Sequence, residues 1–227
     1  MKALGVIPAR AGSKGIPGKN IKLLAGRPLL AYTADAIAEA RRLDRVLVST
    51  DSAEIAAVAA SLGLDAPFLR PAELAQDDTP MLPVLQHAAA YVEAEGWRPD
   101  YVVILQPTAP LRRGQHIDAA LELLEQTGCT SVVSVVEVPA HYAPEFVFRI
   151  VDGRLRHYLE DGLLRTRRQD VTPAYSRDGT VYAIRRDALV NEGIILAPDT
   201  LPMVLPACES VNLDTPSDWA AAEARLA

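Results

Sequence analysis

The sequence predicts an α/β fold of three αβα layers, a mainly parallel sheet covered by helices on both faces. Three observations carry this. Short apolar runs alternate with stretches of helical periodicity from residue 3 to residue 137. The first run ends in a glycine-rich loop, where doubly wound folds gather phosphates. The 227 residues suit one large domain, 1–227, able to bury a sizeable core.

The elements follow in order. Ala3 to Pro8 reads as a buried strand, stopped by proline and by Arg-Ala-Gly-Ser-Lys-Gly. Pro28 to Arg42 places Leu29, Leu30 and Ile37 at helical spacing, and Arg45 to Ser49 is a β-branched run, completing a first βαβ unit. A helix is expected over Ser52 to Leu62 with Ser52 as its cap, then a short strand at Ala66 to Leu69 and a helix at Met81 to Glu95. Tyr101 to Leu105 is a strand opening into the two-proline loop Gln106 to Arg112, followed by a helix at Gln115 to Glu125 and a strand at Ser131 to Glu137. The rhythm then breaks. From Pro139 to Pro173, Phe146–Ile150 and Arg154–Tyr158 flank an Asp152-Gly153 turn as a hairpin within an excursion. Thr180 to Arg185 resumes the sheet, Met203 to Leu205 is a further strand, and Pro216 to Leu226 closes as an amphipathic helix.

Composition narrows the function. A net charge of -6 disfavours a nonspecific hold on nucleic acid or on anionic membrane, and neither partner is expected. Cys129 and Cys208 stand far apart without a CxxC pair, so free core thiols are expected rather than a disulfide or zinc site. No apolar run approaches the roughly 20 residues that span a bilayer, and no signal peptide is legible, so a cytoplasmic location is expected.

The informative stretch is Ile7-Pro8-Ala9-Arg10-Ala11-Gly12-Ser13-Lys14-Gly15, continuing to Lys19-Asn20. Glycines at 12, 15 and 18 let backbone N–H groups approach phosphate oxygens, while Arg10, Lys14 and Lys19 add charge. The loop is neither a Walker A loop nor a dinucleotide GxGxxG.

This string, with STD (Ser49 to Asp51), RPxELAxD (Arg70 to Asp77), LQPTxPLR (Leu105 to Arg112), RQD (Arg168 to Asp170), DGxxYxI (Asp178 to Ile184) and LDTPxDW (Leu213 to Trp219), resembles the acylneuraminate (CMP-sialic acid) cytidylyltransferases, nearly end to end and in order. The resemblance implies a Rossmann-like sheet of the nucleotide-diphospho-sugar transferase type, and transfer of CMP from CTP to the anomeric hydroxyl of a nonulosonic acid. It implies that Ala9, Arg10, Gly12, Ser13, Lys14, Lys19, Asn20 and Arg70 hold the nucleotide, with Arg10, Lys14, Lys19 and Asp214 as the catalytic set. Gln106, Thr108, Arg168 and Tyr182 would face the sugar, with Tyr175 near them. Asn212 and Asp214 occupy the place of two family aspartates that resemble a Mg²⁺ site, and in a strand residues i and i+2 share a face. Asp218 is expected as a surface residue of the last helix.

Asn212 departs from the family pattern and removes one negative charge from the expected metal site, whereas Ser176 and Glu145 stand at places where basic residues usually meet the sugar, and these two departures point to a legionaminic or pseudaminic acid relative. The excursion resembles the family's protruding dimerisation segment, implying a homodimer. None of His87, His116, His141 and His157 belongs to a shared motif, so none is expected as a base. The rival readings are a related enzyme for an eight-carbon sugar acid or a sugar 1-phosphate, and a non-catalytic sugar-nucleotide-binding protein. The eight-carbon enzymes resemble this chain at Ile7 to Arg10 but continue with Ser-Thr-Arg-Leu-Pro, where Gly-Ser-Lys-Gly stands here.

Overall fold

The computed structural model describes residues 1–159 and 172–226. Its strands are β1 (Ala3–Pro8), β2 (Leu23–Leu24), β3 (Arg27–Pro28), β4 (Arg45–Ser49), β5 (Tyr101–Ile104), β6 (Ser131–Glu137), β7 (Phe148–Val151), β8 (Arg154–His157), β9 (Tyr175–Arg185) and β10 (Leu201–Leu205). Its helices are α1 (Leu29–Glu39), α2 (Ala53–Ser61), α3 (Met81–Ala94), α4 (Gly114–Thr127) and α5 (Pro216–Leu226). Six strands form the central sheet in the order β10-β6-β9-β5-β1-β4. β1 runs parallel to β4 and β5, β10 runs parallel to β6, and β9 lies antiparallel between β5 and β6. Five strands therefore share one direction and β9 alone is reversed.

Strand alternation divides the core. On β1, Ala3 and Ile7 join a cluster with Leu30 of α1, Ile55 of α2 and Leu121 of α4. Leu4 and Val6 face the other way, onto Leu85, Ala88 and Val92 of α3. Both sheet faces are thus covered, so the buried strands read as continuous apolar runs. A third cluster joins Ile16 and Leu24 to Leu213 and to Trp219 of α5, pinning the glycine-rich loop to the last helix.

The short strand expected at Ala66 to Leu69 is absent; only a bridge between Thr50 and Leu69 forms, and Leu69 is exposed. β9 begins five residues earlier than expected, because Tyr175, Ser176 and Arg177 pair with Glu137, Val136 and Val135 of β6. Asn212 and Asp214 lie in a loop, not in a strand. Ser52 caps α2 as expected, accepting from Ile55 N at 3.3 Å. Cys129 is a buried free thiol, but Cys208 is exposed. β7 and β8 pair around the Asp152-Gly153 turn, with Phe148, Ile150 and Leu155 exposed. The RQD motif and its Arg168 fall outside the described residues.

Candidate active site

The shared direction of β1, β4 and β5 brings their carboxyl ends to one edge, where open α/β sheets present loops to ligands. A cavity of about 440 Å³ opens there, lined by residues from four separate parts of the chain. Pro8, Arg10, Ser13, Lys14, Gly15, Lys19 and Asn20 form one wall; Gln106 and Thr108 follow β5; Asn212 and Asp214 come from the far end; Met81 begins α3.

The first wall is a loop held by its backbone. Ala9 N donates to Ser49 O at 3.0 Å, and Ala11 N donates to the Asp51 carboxylate at 2.9 Å, so the STD motif anchors the loop's start. Asn20, 6% exposed, donates Nδ2 to Arg10 O at 2.9 Å and ties the loop's two ends together. Asn20 therefore shapes the loop as well as lining the cavity. Ala9 is buried beneath the loop and Gly12 lies on its exposed rim; neither lines the cavity. Gly15 is required by contact: a Cβ there would collide with Asp214 O.

The cations differ in freedom. The Lys19 side chain is 13% exposed and donates Nζ to Leu213 O and to Asp214 Oδ1, the latter at 3.4 Å. Lys14 is 75% exposed, and both it and Arg10 pair with Asp77, at 2.8 and 2.7 Å. The Lys14 and Arg10 hydrogen bonds hold the Asp77 carboxyl below the usual carboxylate range.

The opposite wall rests on buried charge. Arg112 donates to Gln106 O, Thr180 O, Gly179 O and Thr33 Oγ1. Burial pulls its guanidinium down to about 9, against the opposing charge of Asp178. Asp178, itself buried, accepts from Ser134 Oγ, Thr180 N and Thr180 Oγ1 where the β6–β9 register shifts. The first part of β9 thereby overhangs the end of β5 and sets Gly179 beside Gln106 and Asn212. A Cβ on Gly179 would lie 3.0 Å from Gln106 Oε1, and its φ of +81° also demands glycine.

Asn212 Nδ2 donates to Asp214 Oδ2 at 2.6 Å, while Leu213 between them is buried and its N–H donates to Thr108 O. The two polar side chains thus share the cavity side without a strand. Both offer oxygen, the donor type that Mg²⁺ selects. Among the described residues no group of three or more His, Cys, Asp or Glu side chains could hold a metal ion. Asp218 has a larger part than a surface residue: Thr215 N donates to it at 2.7 Å and Asp218 N returns a bond to Thr215 Oγ1. This capping box starts α5 directly after Asp214, and Thr-x-x-Asp was its signal in the sequence.

Arg70 sits in an adjoining cavity of about 170 Å³ that shares Pro8, Arg10 and Met81 with the first. It donates to Ser49 O at 2.7 Å and Leu74 O at 3.2 Å, and burial lowers its pKa. Tyr182 packs against the core cluster of Leu85 and Ile104 and is not part of the cavity lining, and none of the four histidines is either. Sequence reasoning passed over Met81, which carries no motif signal, and gave Asp77 no role although it closes the RPxELAxD string.

Known proteins resemble this chain in sequence and in fold. A sequence profile of the cytidylyltransferase family matches residues 4–201. The chain is 35% identical to a CMP-N,N'-diacetyllegionaminic acid synthase of Legionella pneumophila, over 98% of this chain and 95% of that one. It is 31% identical to a pseudaminic acid cytidylyltransferase of Campylobacter jejuni, over 96% of this chain and 93% of that one. The solved structure of a CMP-2-keto-3-deoxy-manno-octonic acid synthetase complexed with CTP superimposes with a TM-score of 0.74 at 20% identity, covering 100% of this chain and 98% of that one. That likeness shows a shared fold.

Proposed function

The chain belongs to the cytidylyltransferase family, and from that premise we propose that it transfers CMP from CTP to the anomeric hydroxyl of a nonulosonic acid, releasing pyrophosphate. One observation carries the reading: a single cavity joins the cations Arg10, Lys14 and Lys19 to the polar groups Gln106, Thr108, Asn212 and Asp214. Such a cavity has a cationic wall for the triphosphate and a polar wall of amide, hydroxyl and carboxylate groups for a metal ion and a hydroxyl-rich acceptor. The kinship with legionaminic and pseudaminic acid enzymes, together with Ser176 and Glu145, favours an acid of that type over N-acetylneuraminate.

In the proposed reaction the anomeric hydroxyl oxygen attacks the α-phosphorus in line and gives up its proton to solvent, the bond from the α-phosphorus to the bridging oxygen breaks, and pyrophosphate leaves with that oxygen. Positioning and charge neutralisation carry most of the acceleration. Lys19, fixed between Leu213 O and Asp214, is the best-oriented cation; Arg10 and Lys14 meet the outer phosphates; Gln106 and Thr108 orient the acceptor. The oxygens of Asn212 and Asp214 fit Mg²⁺, which when bound would neutralise phosphate charge. Removing one preorganised group of this kind costs on the order of 10²- to 10³-fold in kcat. A pyrophosphate-release assay with CTP, Mg²⁺ and a panel of nonulosonic acids tests the reading. Turnover should be fastest with a legionaminic or pseudaminic acid and should be lost in Asp214→Ala. Faster turnover of N-acetylneuraminate would overturn the acceptor assignment.

The same proposal includes a homodimer. Ile150 is 75% exposed and Leu155 67%, on a hairpin whose apolar side is left uncovered among the described residues. Light scattering should give twice the chain mass, and Ile150→Asp should halve it. No helix among the described residues is long and apolar enough to cross a membrane; the proposed enzyme works in the cytoplasm, where CTP is at hand.

A further inference from the structure

Asp77 lies on the loop between the turn at Ala72–Leu74 and α3, outside the cation loop, yet its two carboxylate oxygens take one cation each. Oδ1 meets Arg10 NH1 at 2.7 Å and Oδ2 meets Lys14 Nζ at 2.8 Å. Asp77 lines the smaller cavity while both cations line the larger one, so the carboxylate reaches across their common wall. A carboxylate spanning two cations through two oxygens imitates the way a phosphate would engage them. Its side chain is 47% exposed and Lys14 is 75% exposed, which makes the pairs weak and exchangeable. The nearby Asp51 carboxylate is engaged with Ala11 N, and Lys19 is engaged with Leu213 O and Asp214, so neither competes for this pair.

We propose that Asp77 is an internal counter-ion, which occupies Arg10 and Lys14 when the cavity is empty and is displaced by the outer phosphates of an incoming triphosphate. It rests on the nucleotide reading above and adds a selectivity to it. Every ligand that needs both cations must displace the carboxylate, so only a polyanion gains enough to do so. A monophosphate, whose single phosphate lies nearer Lys19, neither displaces Asp77 nor benefits from its removal. Pyrophosphate, which must leave after each turnover, is helped out by the returning carboxylate.

The test is calorimetric titration of inorganic pyrophosphate and of CMP into the intact wild-type protein and into Asp77→Asn and Asp77→Ala, with metal chelated, at low and high salt. Loss of two exposed pairs should tighten pyrophosphate about 3- to 10-fold at low salt in both variants. The gain should shrink at high salt, and CMP should stay within about twofold. A residue that merely braced the loop would move pyrophosphate affinity the other way. Unchanged or weaker pyrophosphate binding in the variants, with wild-type binding intact, overturns the counter-ion role alone. Failure of the wild type to bind either ligand both with metal chelated and with Mg²⁺ restored overturns the nucleotide reading and this inference with it.

Discussion

The two walls of the cavity use charge in opposite ways. On the glycine-rich loop, Arg10 and Lys14 are paired at the surface with Asp77, and Lys14 keeps three quarters of its side chain in water. Behind Gln106 and Gly179, Arg112 and Asp178 are buried and saturated with hydrogen bonds. Exposed pairs contribute up to about 1 kcal/mol and can be traded for a ligand's charges. Buried charges do not trade: removing one leaves its partners stranded. The outer cations Arg10 and Lys14 are therefore left replaceable, whereas the charges that hold geometry are sealed.

Three substitutions would break or sharpen that contrast. The largest effect belongs to Arg112→Ala, which leaves the carbonyls of Gln106 and Thr180 without their guanidinium donor and removes the buried charge that opposes Asp178. Urea unfolding should show a loss of about 3 to 5 kcal/mol; a loss below about 1 kcal/mol would erase the difference between the walls. Next is Gly179→Ala, where a positive φ and the proximity of Gln106 should cost about 1 to 2 kcal/mol. Steady-state kinetics should place its damage on the sugar acid, with a raised KM for that substrate and an unchanged KM for CTP. The reverse split would mean that the walls have been assigned to the wrong substrates. Smallest in stability is Lys14→Met, expected within about 0.5 kcal/mol of the parent by thermal melting. Its CTP KM should nonetheless rise at low ionic strength, with the difference fading as salt is added.

The same contrast explains what the sequence made legible. β1, β4, β5 and β6 were readable because a strand covered by helices on both faces is a nearly unbroken apolar run. The glycine-rich loop was readable as a wall of the cavity because its glycines and cations are contiguous. Arg112 and Asp178 were not given their structural role, since a charged residue is by default exposed, and only the fold brings them within reach of one another and of the ends of β5 and β9. Asn212 and Asp214 share a side as they would in a strand, but they do so in a loop, where the alternation comes from Leu213 plugging into the third core cluster, a tertiary effect that imitates strand periodicity. Likewise Ala66 to Leu69 has strand-like composition, but only one residue finds a partner, at Thr50. The direction of β9 carries no local signal at all, because an apolar run reads the same for either orientation.

Lys19 reaches Leu213 O across 194 positions of sequence. During synthesis the chain grows from its amino end, so the glycine-rich loop precedes its closing partner by most of the fold and must wait, unclosed, until Leu213 has been made. Competence to bind nucleotide should arrive all at once, and nascent chains stalled short of Leu213 should load no CTP even when most of the sheet is already built.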